Sequence, residues 1–450
     1  MNIALPEPDT VARAHSEKVA AHVRGLLDAG GGWLSLHDYM QAVLYAPGLG
    51  YYMAGTQKFG DGGDFVTAPE LTPLYAQTWA VPISVAIGAV SAQVQPLFNL
   101  PPREGGCPSK PLPPSAALQQ PLIGFADAPF EKRAKREKSE SKAGAMCGTS
   151  LQNQNRSCAE MQRNASSILE LGGGSGIFAA QLLQQLKVMN CLPDRYAILE
   201  LSPTLRERQR QTLRDKVPDL VSRVEWLEHL PDAFHGVVFM NEVLDAIPPR
   251  VVGRIGEAWV EYGVRADGNC FMASSKPLSD PALLTLAALR FPAQGDYVAE
   301  LNIAGEALLE TLGRCLTPGS TLFVNDYGFE REGALPAQYA QGTLRAYYRH
   351  RLLNDPLLWP GLLDITYHVD FVAIAEAVQR GGLALVSFQT QGEFLQKHGI
   401  LNNLARSGRP EEATYLSSAQ AVRTLIDPEA MGGIFKVAEF RRSLIVLCRR

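Results

Sequence analysis

Paired cysteines are missing from this 450-residue chain. Its seven cysteines, at 107, 147, 158, 191, 270, 315 and 448, include no C-x-x-C pair. That excludes a zinc knuckle and a dithiol redox motif, and no metal site can be read from the spacing. The low, odd count fits a reducing compartment, so the expected location is cytoplasmic. An excess of one charge is missing too: 42 Lys and Arg against 46 Asp and Glu leave a net charge of −4. A chain that coats nucleic acid needs a basic field, and none is present. Glu7 and Asp9 stand where a secretory signal would place Lys or Arg. The longest charge-free stretch, residues 71–102, is interrupted by Pro73, Pro82 and Pro96. A membrane helix requires roughly 20 mostly apolar residues, so this stretch reads as a buried amphipathic helix followed by a loop, with no membrane span. What is abundant is apolar material, 46% hydrophobic against 20% charged residues, enough for a globular core.

Three zones follow one another. Residues 1–100 carry aromatic and apolar side chains throughout and form an N-terminal lid or cap region. Residues 101–165 open with PPREGGCPSKPLPPS, continue through EKRAKREKSESKAG and lack apolar periodicity. This insertion is expected to be disordered, a solvated linker with a basic run at 132–142. Residues 166–450 change texture again. SSILEL, RYAILEL, SRVEWLE, HGVVFMN and GSTLFVNDYG read as strands. Between the first three lie helical patterns, GIFAAQLLQQLK and SPTLRERQRQTLRDK, the second with Ser202 as N-cap. Such alternation predicts an α/β fold with a doubly wound parallel sheet. Insertions interrupt it at about 250–300 and 330–380; the alternating residues 250–268 read as a hairpin hung on that sheet. The closing FRRSLIVLCRR reads as a strand pairing into it.

The sharpest local signal is Glu170-Leu171-Gly172-Gly173-Gly174-Ser175-Gly176, between a strand and a helix. Glycines at 172, 174 and 176 let the backbone turn tightly and approach a ligand, and the helix start offers free N–H groups. A dinucleotide fingerprint and a nucleophile elbow would both need glycine at 177, which is Ile177. That argues against a nicotinamide oxidoreductase. A phosphate loop would need a following lysine. The pattern that fits is E-x-G-x-G-x-G, the first motif of class I methyltransferases that use S-adenosyl-L-methionine (SAM). Glu170 can accept from the ligand's ammonium group. Glu200, at the end of the second strand, stands where an acidic ribose ligand belongs. Trp226 and Leu227 are placed to wall the adenine.

Chemistry in an open parallel sheet lies beyond the carboxyl ends of its strands. The fourth strand exits into Asn241, Glu242, Val243, Leu244 and Asp245. Glu242 and Asp245 can polarise a cationic nitrogen or remove its proton, and the Asn241 amide oxygen can orient a nucleophile.

These residues carry a family resemblance. Residues 44–53 (LYAPGLGYYM), 63–73 (GDFVTAPELTP), 241–248 (NEVLDAIP), 324–328 (VNDYG), 342–351 (GTLRAYYRHR), 360–371 (PGLLDITYHVDF) and 431–437 (MGGIFKV) resemble the MidA-like class I methyltransferases. That family includes the mitochondrial protein-arginine methyltransferase needed for respiratory complex I assembly and many bacterial relatives. The resemblance implies a Rossmann-like class I fold with an N-terminal helical lid. It also implies SAM as cofactor, methylation of a protein arginine nitrogen, and a respiratory complex subunit as protein partner. Carried over, Gly63, Asp64, Thr67, Pro69 and Glu70 become lid residues over the cofactor. Asp326, Tyr327, Arg349, His350, Asp364, His368 and Asp370 become acceptor-site candidates, His368 among the catalytic ones. The plainer readings are an Arg349–Asp364 salt bridge and a core histidine at 368. The chain departs from the family by about 65 extra residues before the glycine turn. Each doubling of a loop adds only about 0.6 kcal/mol of closure entropy, so the fold tolerates them. The expected reaction is a direct in-line displacement that needs alignment and exclusion of water. A non-catalytic SAM-binding scaffold is the competing reading.

Overall fold

The computed structural model describes residues 7–54, 67–94, 166–292, 294–331, 337–353 and 355–443. The 101–165 insertion and Asp64 lie outside them. Helix α1 (Thr10–Ala29) starts where the Asp9 side chain accepts from the Ala12 N–H at 2.9 Å. Strand β1 (Leu34–Ser35) runs into α2 (Leu36–Tyr45), whose N-cap Ser35 accepts from the Asp38 N–H at 3.1 Å. After α3 (Ala68–Leu71) comes α4 (Pro73–Val94), the helix expected in the charge-free stretch, which carries Pro82 inside it.

The α/β alternation follows. It runs β2 (Ser167–Leu171), α5 (Ile177–Val188), β3 (Arg195–Leu199), α6 (Pro203–Lys216), β4 (Val224–Leu227) and β5 (Gly236–Asn241). Next come β6 (Arg250–Ile255), β7 (Ala258–Asp267), β8 (Cys270–Pro277), α7 (Pro281–Arg290), β9 (Tyr297–Leu301), α8 (Ile303–Cys315) and β10 (Thr321–Phe329). Then β11 (Arg345–Tyr348), β12 (Arg351–Leu353), β13 (Asp364–Thr366), β14 (Val369–Asp370) and α9 (Phe371–Arg380) lead to β15 (Ala384–Thr390). The last elements are α10 (Gln391–Lys397), α11 (Ile400–Arg406), α12 (Ala413–Ile426), α13 (Met431–Ile434) and β16 (Phe435–Arg441).

The main sheet has the order β15-β16-β10-β5-β2-β3-β4, with β14 pairing the end of β10. Strands β4, β3, β2, β5 and β10 are parallel; β16 lies antiparallel between β10 and β15. This is the doubly wound parallel sheet that the strand–helix alternation predicted, with β16 added antiparallel. The central strands read as unbroken apolar runs because helices cover both faces. On one face Trp79 of α4 packs at 4.7 Å from Phe239 and 4.3 Å from Phe394, and Phe178 of α5 stacks on Phe239 at 4.5 Å. On the other face Leu309 and Leu312 of α8 and Ile374 and Val378 of α9 close the core. Helix α4 therefore belongs to the sheet's own helical layer, while α1 and α2 pack elsewhere.

They pack on a second sheet, β1-β7-β6-β9 with β8 beside β7. The hairpin of residues 250–268 belongs to this sheet, a correction to the expectation that it hangs on the main one. Strand β7 finds its partners in β6, β8 and β1, with Leu34 opposite Val264. Its buried Val264 joins Val19 and Val23 of α1 and Tyr39 of α2 in a separate core. The last described strand runs from Phe435 to Arg441, with Phe435, Val437, Ala438 and Phe440 buried within the sheet; of the closing strand expected at 440–450, residues 444–450 lie outside the described ones. Among the described residues no helix is long and apolar enough to cross a membrane.

Candidate active site

The chain lays down β2, β3 and β4 outward in one direction, then returns to β5 on the opposite side of β2. Ligands bind at such a reversal, in the crevice beyond the strand ends. A cavity of about 740 Å³ occupies it. Gly172, Gly174 and Gly176 have φ values of 68°, 51° and 82°, a region other residues enter at a penalty. A Cβ on Gly172 would sit 2.9 Å from Val243 Cγ2, another residue that lines the cavity. Gly172 and Gly174 line the cavity; Gly176 does not. A Cβ at Gly176 would come within 2.9 Å of the Gln209 Cα, so this glycine lets α5 and α6 approach each other.

Glu170 is buried on the cavity wall and accepts from the Tyr196 hydroxyl at 2.9 Å. Burial pushes its carboxyl up to about 8. Glu200 accepts from the Ser202 N–H at 2.9 Å and from Gln209 Nε2 at 3.0 Å, and burial pushes it up as well. Gln209 is a residue that sequence reasoning missed. It also donates to the Gly174 carbonyl at 3.0 Å and accepts from Trp226 Nε1 at 2.9 Å. The one available signal was a glutamine at 209 between Leu205 and Leu213 on the buried face of α6. Trp226 needs a correction: it stands behind Gln209, with Arg210 at 4.7 Å over its ring, and is not among the lining residues. Ile177, Phe178, Leu201 and Leu205 supply the apolar wall instead. From the 63–70 segment, Thr67 and Pro69 line the cavity and Glu70 does not.

At the other end, β5 delivers Asn241 and Glu242, the latter at φ 54°. The Asn241 Oδ1 accepts from the Tyr75 hydroxyl at 2.7 Å and from Asn325 Nδ2 at 2.8 Å. Its oxygen is therefore occupied, which corrects the idea that it orients a nucleophile. Its Nδ2 donates to Glu242 Oε1 at 2.9 Å. Burial, then the nearby Asp245, push the Glu242 carboxyl up to about 8, against the N–H groups of Asn241 and Ala68. Burial also raises Asp245, held by the Tyr327 hydroxyl. Asp364 accepts from the Tyr52 hydroxyl at 2.6 Å and lines the same cavity with Tyr45, Tyr347 and His368. His368 stands edge-on to Tyr327 at 5.4 Å and Tyr339 at 5.3 Å, and burial lowers its imidazole to about 4, so it is neutral.

Four acceptor-site expectations are corrected. Asp326 is 1% exposed and off the cavity wall. Its carboxylate accepts from the N–H groups of Val243, Leu244 and Asp245 at 2.9–3.4 Å and of Tyr327 at 2.9 Å, so it holds the 242–245 turn in place. Asp370 caps α9 and pairs with Arg331 at 2.8 Å. Arg349 and His350 form the turn between β11 and β12, both at positive φ, with Arg349 3.8 Å from Asp9. Among the described residues no group of three or more His, Cys, Asp and Glu is placed to hold a metal ion.

A family model described as "Putative S-adenosyl-L-methionine-dependent methyltransferase" matches residues 146–389, more than half of the chain. The chain belongs to that methyltransferase family. The methyltransferase is also similar over its whole length to a crystal structure from Burkholderia thailandensis, described as a "likely methyl transferase", bound to S-adenosyl-homocysteine. The two are 36% identical with a TM-score of 0.76, covering 99% of this chain and 98% of that one. Among curated proteins, the mitochondrial protein arginine methyltransferase NDUFAF7 homolog of Drosophila melanogaster is 24% identical, covering 96% of this chain and 86% of the relative. The Mus musculus NDUFAF7 is 23% identical, covering 90% and 80%. The cofactor of the methyltransferase is SAM, and the site suits it: the glycine turn leaves no Cβ in the crevice, and two buried carboxyl groups stand ready for a cationic, hydroxyl-bearing ligand.

Proposed function

We propose that the methyltransferase moves the SAM methyl group to an arginine nitrogen of a protein. The observation that carries this reading is the set of carboxyl groups at one end of the cavity: Glu242, Asp245 and Asp364, with tyrosine rings around them and no lysine among the described lining residues. A guanidinium is planar, permanently charged and carries five N–H donors, so it answers several carboxylates and aromatic faces at once. The names of the relatives from Drosophila melanogaster and Mus musculus support the same acceptor.

SAM supplies an electrophilic methyl on a sulfonium. The chain supplies everything else. In this reading Glu170 holds the ligand's ammonium, Glu200 its ribose hydroxyls, and Gly172 and Gly174 let the backbone lie against it. Asp245 and Asp364 hold the guanidinium in plane. As its nitrogen gains the methyl, the proton it sheds passes to a Glu242 carboxylate oxygen, whose affinity near neutral pH suits that task. Neutral His368 accepts a further N–H.

The test is transfer from methyl-labelled SAM to total cell protein, respiratory complex subunits first, with acid hydrolysis and identification of the methylated amino acid. Methylarginine is expected, and Glu242→Gln should cut turnover by about 100-fold while SAM affinity changes by less than about threefold. Methyllysine or an O-methyl product would overturn the assignment.

A further inference from the structure

A file of three side-chain amides runs from the cavity through the core to α12. Gln391 Nε2 donates to the Leu425 carbonyl at 3.1 Å. Gln391 Oε1 accepts from Asn325 Nδ2 at 3.1 Å, and the same Nδ2 donates to Asn241 Oδ1 at 2.8 Å. Asn241 Nδ2 then meets Glu242 at 2.9 Å. Asn325 and Gln391 are 0% exposed. Tyr75 of α4 sits beside the file, its hydroxyl 2.9 Å from Asn325 Nδ2 and donating to Asn241 Oδ1.

The polarity of such a file is set at its ends. A backbone carbonyl can only accept, and Leu425 is in the last turn of α12, where carbonyls lack helical partners and the dipole is negative. Gln391 must therefore turn its NH₂ toward Leu425 and its oxygen toward Asn325. Asn325 must then present NH₂, and Asn241 must present oxygen to Asn325 and NH₂ to Glu242. Reversing Asn241 alone would set NH₂ against NH₂; reversing all three would set the Gln391 oxygen against the Leu425 oxygen. The buried Asn325 Oδ1 has no hydrogen-bond partner, so at this residue it is the NH₂ that the surroundings use.

We propose that Gln391 and Asn325 are positioning residues for Glu242: anchored on the Leu425 carbonyl, they dictate that an N–H of Asn241, and not its oxygen, faces the Glu242 carboxylate. Neither touches the cavity. The other groups acting on Glu242 are Asp245 and Asp364 on the cavity wall, Asp326 behind the 242–245 turn, Tyr75 of α4, and the Ala68 N–H of α3. The acidic neighbours favour the protonated carboxyl, so the Asn241 N–H is one of few contacts favouring the ionised one.

The test reads Glu242 directly, without any acceptor. The ¹³C resonance of its carboxyl carbon, assigned by its loss in Glu242→Gln, is followed against pH in the full chain. In Gln391→Met and in Asn325→Leu the file no longer fixes the Asn241 amide; the Tyr75 hydroxyl that remains beside it can accept as well as donate, so the oxygen can turn to Glu242, and the midpoint should rise by about one pH unit, tenfold in proton affinity. Tyr75→Phe leaves the file intact and should move it by less than about 0.3 unit. Midpoints within about 0.3 unit of wild type in either of the first two variants, with a native melting temperature, overturn the proposal. If one of them does not fold, the other decides. An acceptor other than arginine would refute the arginine assignment and leave this result unchanged.

Discussion

Glu170 offers a test that separates the electrostatics of the empty site from its chemistry. Its carboxyl is buried under the glycine turn and lies at about 8, against an ordinary 4.5. Between those values the folded protein holds a proton that the unfolded chain releases, so stability is greatest below about 4.5 and falls as pH rises toward about 8. At about 1.4 kcal/mol per unit, the full displacement corresponds to about 5 kcal/mol. Real interiors respond with an effective dielectric near 20 rather than 4, so about 2 kcal/mol is the expected loss between pH 5 and pH 8. In Glu170→Gln the amide stays neutral at every pH, and that part of the slope should vanish. A fixed offset from the changed contact with Tyr196 remains. Urea unfolding of the ligand-free protein and the variant, at several pH values, measures the difference. Buried Glu242, Asp245 and Asp326 add slopes of the same sign, but they cancel in the comparison. Saturating SAM should flatten the wild-type fall, because a cation beside Glu170 stabilises its ionised form. Parallel stability curves for the two proteins, within about 0.5 kcal/mol, would refute the reasoning.

Gly176→Ala should lower stability by about 2–4 kcal/mol in urea unfolding, since it adds a left-handed alanine and a methyl against the Gln209 backbone at 2.9 Å. Trp226→Phe removes the donor to Gln209 Oε1 and shrinks the ring under Arg210; a loss of about 1–2 kcal/mol is expected, with SAM affinity by calorimetry within about threefold of wild type. Asp326→Asn puts an NH₂ among backbone N–H donors, and should cut turnover more than about tenfold while SAM still binds.

The five parallel strands and the glycine turn were legible because each is local: an apolar run of four to six residues, then Gly172, Gly174 and Gly176 in a spacing that a tight turn demands. The second sheet was not, since β1 has two residues and pairs with β7 more than 200 residues later in the chain, and nothing local announces such a partner. The site residues divide along the same line. Glu170, Glu200, Glu242 and Asp245 follow the strand ends and reach the cavity. Trp226 also lies near a strand end, and Asp326 inside β10 just past the end of neighbouring β5, yet neither reaches it. Consecutive strand residues face opposite sides of a sheet, so a residue type at a strand exit says little about where its side chain goes. Gln209, Asn325 and Gln391 were invisible for another reason. Their roles lie in contacts between elements far apart in the sequence, and an isolated buried amide carries no pattern.

Strand β16 has a consequence for biosynthesis. It fills the gap between β10 and β15, and it follows all the other described elements in the chain. Until residues 435–441 leave the ribosome, both neighbours present unpaired backbone on their inner edges, the kind of surface that invites association with other chains. The methyltransferase sheet therefore closes only after every other described element has been made, and loss of this one strand would open the sheet beside β10 and take Phe435 out of the cavity wall.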